Sequence, residues 1–135
     1  MGDSLTDPRS HGGKYLEVLR KKCPDSRFDS YGIGGNMVNQ MRKRFLRDVF
    51  GEREGAPPEP RPAYTHLVVL GGINDICSDE SAQRTNDKIQ ADLGWMYRTF
   101  GSVDWEGDTV PLVTLPTSRP PLSTIGAPAR TGTLS

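Results

Sequence analysis

Charge of either sign is missing as an excess: seventeen Lys and Arg offset seventeen Asp and Glu over 135 residues. That balance excludes the electrostatic footprint of a nucleic-acid binder or of a protein held on an anionic membrane, and suits a small neutral substrate. Cysteine is scarce. Cys23 and Cys77 stand at no metal-ligand spacing, so they supply neither a zinc site nor a disulfide framework, and whether they pair is left open. Long apolar runs are lacking too. The longest, Leu67-Val68-Val69-Leu70, is far too short to cross a bilayer, and no basic start is followed by an apolar stretch. These absences describe a soluble chain without membrane span, metal or cofactor, its compartment undetermined. Hydrophobic residues, at 34%, are fewer than usual, but a chain of this length can still bury the core of one domain.

What is present is organised. Between Gly13 and Lys22, the apolar Tyr15, Leu16 and Leu19 separate from Lys14, Glu17, Lys21 and Lys22 as an amphipathic helix requires, and Pro24 stops it. Phe28 to Tyr31 is a short β-like run leading into a glycine cluster. After it, Val38, Met41, Phe45 and Val49 recur at helical spacing, with Arg42, Lys43, Arg44 and Arg47 expected on a solvated face. Gly51 to Pro62 carries four prolines and predicts an irregular spacer. The apolar run Leu67 to Leu70 reads as a strand buried on both faces of a parallel sheet. Ile89, Leu93, Met96 and Phe100 predict a helix over Asn86 to Phe100, N-capped by Thr85. Thr109 to Leu115 reads as another strand, at an edge or bulged because of Pro111. From Pro116 onward there are four prolines and no acidic residue, a composition expected to be disordered. Alternation of strands, glycine turns and helices predicts a doubly wound α/β sheet over residues 1–116, with its site at the strand C-termini, and a tail over 117–135.

Three islands punctuate this pattern: Gly2-Asp3-Ser4-Leu5-Thr6, Gly32-Ile33-Gly34-Gly35-Asn36 and Gly71-Gly72-Ile73-Asn74-Asp75. In this order they resemble the first three sequence blocks of the SGNH (GDSL-type) hydrolases. The resemblance spans residues 2 to about 116 and implies an incomplete flavodoxin-like sheet. It also implies a serine nucleophile, Ser4, and three oxyanion donors: the backbone N–H groups of Ser4 and Gly35 and the side-chain amide of Asn74. Physically, glycine at 35 lets backbone approach a substrate, and an asparagine amide donates without titrating. The substrate implied is a small molecule carrying an ester (acyl or acetyl) bond.

The sequence departs from the family twice. An apolar strand normally leads into Gly-Asp-Ser, whereas here Met1 directly precedes Gly2, so the nucleophile turn is expected to lack one of its supports. No Asp-x-x-His occurs between Asp3 and Ser135, so the recognisable base is missing. Histidine is confined to His11 and His66. His66 is expected at the far end of the buried strand, and His11 on the loop after Ser4; both are read as structural. Asp3, Thr6, Asp7 and Asp75 are read as caps and loop hydrogen bonds. The expectation is therefore a serine esterase lacking its His/Asp block, the alternative being a non-catalytic remnant or an acyl- or sugar-binding module of the same fold. A flavodoxin-like nucleotide binder ranks below both, because neither glycine turn brings a phosphate-binding Lys or a complete glycine fingerprint.

Overall fold

The computed structural model describes residues 1–101 and the strand 113–116. Pro111, the first part of the predicted last strand and the tail over 117–135 lie outside the described residues.

Helix α1, Lys14–Lys22, starts at Gly13 and ends two residues before Pro24. Arg20, Lys21 and Lys22 in its last turn suit the negative end of the helix dipole. Helix α2, Val38–Phe45, opens with the Met37 N–H donating to Gln40 Oε1 at 2.8 Å. Its apolar stripe of Val38, Met41 and Phe45 is fully buried and continues through a π-helical turn, Leu46–Phe50, which buries Val49. Strand β1, Val68–Gly71, leads through Gly72 into the single-turn helix α3, Ile73–Ile76. Helix α4, Asn86–Gly101, follows Thr85, whose Oγ1 and carbonyl accept the N–H groups of Lys88 and Ile89. Strand β2, Val113–Pro116, pairs in parallel with β1, Val68 opposite Val113 and Gly71 opposite Pro116.

On the other side of β1 lie Met1 and Gly2. The Met1 amine donates to Val68 O at 3.0 Å and the Leu70 N–H to Met1 O at 3.1 Å. Across from them, the Gly2 N–H donates to Tyr31 O and the Ile33 N–H to Gly2 O. Gly2 thus bridges in parallel to both Gly32 and Leu70, giving the spatial order 31–33, 1–2, β1, β2. Parallel neighbours need long crossovers, and α1, α2 and α4 fall in the segments joining them. The β-like run Phe28 to Tyr31 forms no strand, and only Tyr31 O, accepting the Gly2 N–H, joins it to the ladder.

The core gathers Met1, Val38, Met41, Phe45, Val49, Leu67, Val69, Met96 and Phe100 where α2 packs on α4, with Val38 and Met41 of α2 against Gly71 of β1. Phe45 meets Phe50 and Trp95 edge-on, at 5.8 and 5.9 Å between ring centroids. Leu16, the one buried residue of α1, is not part of this cluster.

One expectation about α2 needs correction. Arg44 does not belong to a solvated face; it is 8% exposed. Its guanidinium donates to Asn36 Oδ1, Tyr31 O, Gly2 O and Asp48 Oδ2 at 2.6 to 3.0 Å, so it joins the first sheet segment, the second and its own helix. A buried cation is tolerated only when its donors are satisfied in this way. The spacer after Gly51 is irregular but anchored: Glu59 pairs with Arg53 and Arg61, and Arg61 Nε reaches Asp48 O. Among the described residues no helix is long and apolar enough to cross a membrane.

Candidate functional site

Because Gly2 bridges to Gly32 and to Leu70 in parallel, the residues that follow each of them leave the sheet at the same end. Ser4, Gly35 and Asn74 lie on these three neighbouring exits. At the first, Asp3 O accepts the N–H groups of Thr6 and Asp7, and Asp3 Oδ1 accepts that of Leu5 at 2.9 Å. Ser4 sits inside this tight turn, half-buried, and neither its N–H nor its hydroxyl has a hydrogen-bond partner among the described residues.

At the second exit the Asn36 N–H closes a turn onto Ile33 O at 3.2 Å. Gly35, third in that turn, has φ 75°, the position and sign that a type II turn demands of glycine. Its N–H has no partner among the described residues, and the space around its Cα is open. At the third exit, Gly72 at φ 112° turns the chain into α3. Asn74 donates one amide hydrogen to Asn36 O at 2.9 Å, and its NH₂ retains a second donor.

The acidic residues read as structural all make hydrogen bonds. Asp7, 3% exposed, accepts from Arg9 N–H and Nε, Ser10 Oγ and the Gly34 N–H. The Arg9 side chain and these N–H groups hold its carboxyl down to about 2, against the opposing effect of burial. Asp75 accepts the Val38 N–H at 2.9 Å and pairs with Arg84 at 2.7 Å. Arg84 continues to Asp92, Asp92 to Arg42, and Arg42 lies over the Trp95 ring at 4.9 Å. This chain of charges, which sequence reasoning missed, joins α3 to α2 and α4. Its members are separated by 8 to 50 residues and carry no local spacing signal. Thr6 Oγ1 lies 3.1 Å from Tyr15 Oη, so the Ser4 turn is also attached to α1.

Neither histidine hydrogen-bonds to Ser4. His11 is exposed, in the left-handed region at φ 61°. His66 is exposed two residues before β1, with Nδ1 3.0 Å from Thr65 Oγ1, at the end of β1 opposite Gly71. Among the described residues no group accepts a proton from the Ser4 hydroxyl, which is a weak nucleophile without one. A cleft of about 440 Å³ opens between α3 and the start of α4, lined by Asp75, Ile76, Asp79, Arg84, Thr85 and Ile89 among others, and none of Ser4, Gly35 and Asn74 lines it. Both cysteines are exposed free thiols, and the described residues contain no group of three His, Cys, Asp or Glu able to hold a metal ion. No protein-family model, curated protein or solved structure matches the chain.

Proposed function

We propose that this chain is a GDSL-type serine hydrolase domain over residues 1–116, acting slowly on an ester bond of a small acyl or acetyl compound. In this reading its sheet is the flavodoxin-like, doubly wound kind. The spatial order 31–33, 1–2, β1, β2 supports that, since it corresponds to strand order 2-1-3-4. The observation that carries the functional reading is the exit of Ser4, Gly35 and Asn74 from three adjacent parallel segments at one end of the sheet, with the Ser4 and Gly35 N–H groups unpaired among the described residues.

Ser4 Oγ attacks the ester carbonyl carbon, and the carbonyl oxygen, as it becomes an oxyanion, accepts from Ser4 N–H, Gly35 N–H and the second Asn74 amide hydrogen. Each such donor contributes roughly 3–4 kcal/mol to the transition state. The hydroxyl proton passes to solvent, the alcohol departs, and water then releases the acid. Without a base this proton transfer is unassisted, so turnover falls to the residual ~10³–10⁴-fold over water that donors and binding alone sustain.

The test is intact-mass spectrometry after incubation with a fluorophosphonate, comparing the chain with Ser4→Ala once circular dichroism shows both folded. A single adduct that disappears in Ser4→Ala supports the proposal, and no adduct on a folded chain refutes it. A second reading, a non-catalytic acyl- or sugar-binding module, is favoured by the Asn74 amide already donating to Asn36 O and by the absence of a partner on Ser4 Oγ. Saturable binding of a short ester without adduct or turnover is its expected result.

A further inference from the structure

We infer that Asp7 is a positioning residue that sets the distance between the two backbone oxyanion donors by holding the Gly35 turn against the Ser4 turn. The inference rests on the esterase reading above.

Two donors stabilise one oxygen only if both N–H groups converge on the same point. Ser4 and Gly35 are carried by different loops. Their ladder ends at the Ile33 N–H bond to Gly2 O; Ser30 Oγ also donates to Thr6 O at 2.8 Å, but Ser30 lies before the ladder and leaves the Ile33–Asn36 turn itself untied. Asp7 spans that gap. Its own N–H is bonded to Asp3 O, so it is rigidly part of the Ser4 turn, and its Oδ2 accepts the Gly34 N–H at 2.9 Å, 27 residues along the chain. Among the described residues this is the single hydrogen bond between the Ser4 turn and the Ile33–Asn36 turn.

The carboxylate is itself locked. Oδ1 takes the Arg9 N–H at 2.9 Å and Arg9 Nε at 3.1 Å, and Oδ2 also takes Ser10 Oγ at 3.3 Å. Its depressed pKa keeps it an acceptor-only anion at neutral pH. The loop it holds needs holding, since the adjoining Gly34 and Gly35 have more backbone freedom than any other pair of residues. Gly32 adds close approach: a Cβ there would lie 2.3 Å from Asp7 N, so the two turns are packed backbone to backbone. Displacement of a catalytic group by about 1 Å reduces rate on the order of 100-fold.

The experiment measures fluorophosphonate labelling of Ser4 as a first-order maximum and a half-saturation concentration, for the unaltered chain, Asp7→Ala and Asp7→Asn, each below its unfolding transition. Hydrogen exchange of the Gly34 amide is followed in the same samples. Asp7→Ala is expected to lower the labelling maximum about 10- to 100-fold with the half-saturation concentration little changed, and to deprotect Gly34. Asp7→Asn, whose amide oxygen still accepts from Gly34, is expected to restore most of both. Labelling of Asp7→Ala at the unaltered rate overturns the inference and leaves the esterase reading intact. Gly34 unprotected in the unaltered chain overturns it as well. Absence of Ser4 labelling in the folded unaltered chain removes the esterase reading, and the inference with it.

Discussion

Arg44 and the Met1 amine are two buried nitrogen donors with very different sets of acceptors. Arg44 is surrounded by four acceptors, one of them the Asp48 carboxylate. Arg44→Met is expected to destabilise the fold by about 1–3 kcal/mol, because it leaves three acceptors unpaired while the Asp48 carboxylate keeps the Arg47 guanidinium at 2.8 Å. Lys43→Ala on the exposed face should stay within about 0.5 kcal/mol, and urea unfolding of the two variants tests the contrast. The Met1 amine, by contrast, has one strand carbonyl to donate to, and burial, aided by the nearby Arg44, lowers its pKa from 8.0 to about 5. The folded state therefore releases a proton that the unfolded chain still binds between pH 5 and pH 8. Stability is fully present above pH 8 and declines as pH falls to 5, by about 4 kcal/mol at about 1.4 kcal/mol per pH unit. Unfolding free energies measured at intervals across that range check the slope; a flat profile would mean that the amine stays charged in the fold.

Elements here are joined by glycines for two different reasons. At Gly32 the reason is proximity, since a Cβ would meet Asp7 N at 2.3 Å and the Thr6 carbonyl carbon at 2.4 Å. At Gly35 it is conformation, with φ at 75° and open space around it. Gly32→Ala is expected to cost about 1–3 kcal/mol by overpacking and to separate the Ser4 turn from its neighbour. Gly35→Ala should cost about 1–2 kcal/mol from backbone strain alone and leave the packing undisturbed. Thermal unfolding together with Ser4 labelling tests both: each is expected to lose labelling beyond its stability loss, Gly32→Ala by parting the turns and Gly35→Ala by placing a Cβ in the open space beside its donor N–H. Sequence patterning located most elements: the helices over 14–22 and 86–101 and the strand over 68–71 follow from apolar spacing and proline or glycine stops, although the strand alternates between buried and half-buried residues instead of being buried on both faces as expected. It mistook Arg44 for part of a wet face, because helical spacing says which residues share a side and not what packs on that side. It gave Phe28 to Tyr31 a β-like run, of which only Tyr31 O joins the ladder.

For the whole molecule, the proposed chemistry lacks a proton acceptor at Ser4 among the described residues, and a diffusible base can stand in for one. Imidazole is expected to accelerate hydrolysis of p-nitrophenyl acetate by the unaltered chain more than by Ser4→Ala, with the difference rising as imidazole is added. Equal acceleration of both would argue that the three exits do not form an oxyanion site. The three sequence islands, their order and the absence of Asp-x-x-His were determined by the sequence alone, because each is a short local pattern of residue types. So were the neutral surface charge and the principal helices. Tertiary structure alone decided that Met1 and Gly2 lie between two other sheet segments. It likewise decided that Asp7 reaches Gly34 and that Asp75, Arg84, Asp92 and Arg42 form one connected series of charges. The physical reason is range. Periodicity and turn chemistry act over a few residues, whereas the partner of a buried donor or charge is whichever group the folded chain brings within about 3 Å, at any separation in sequence.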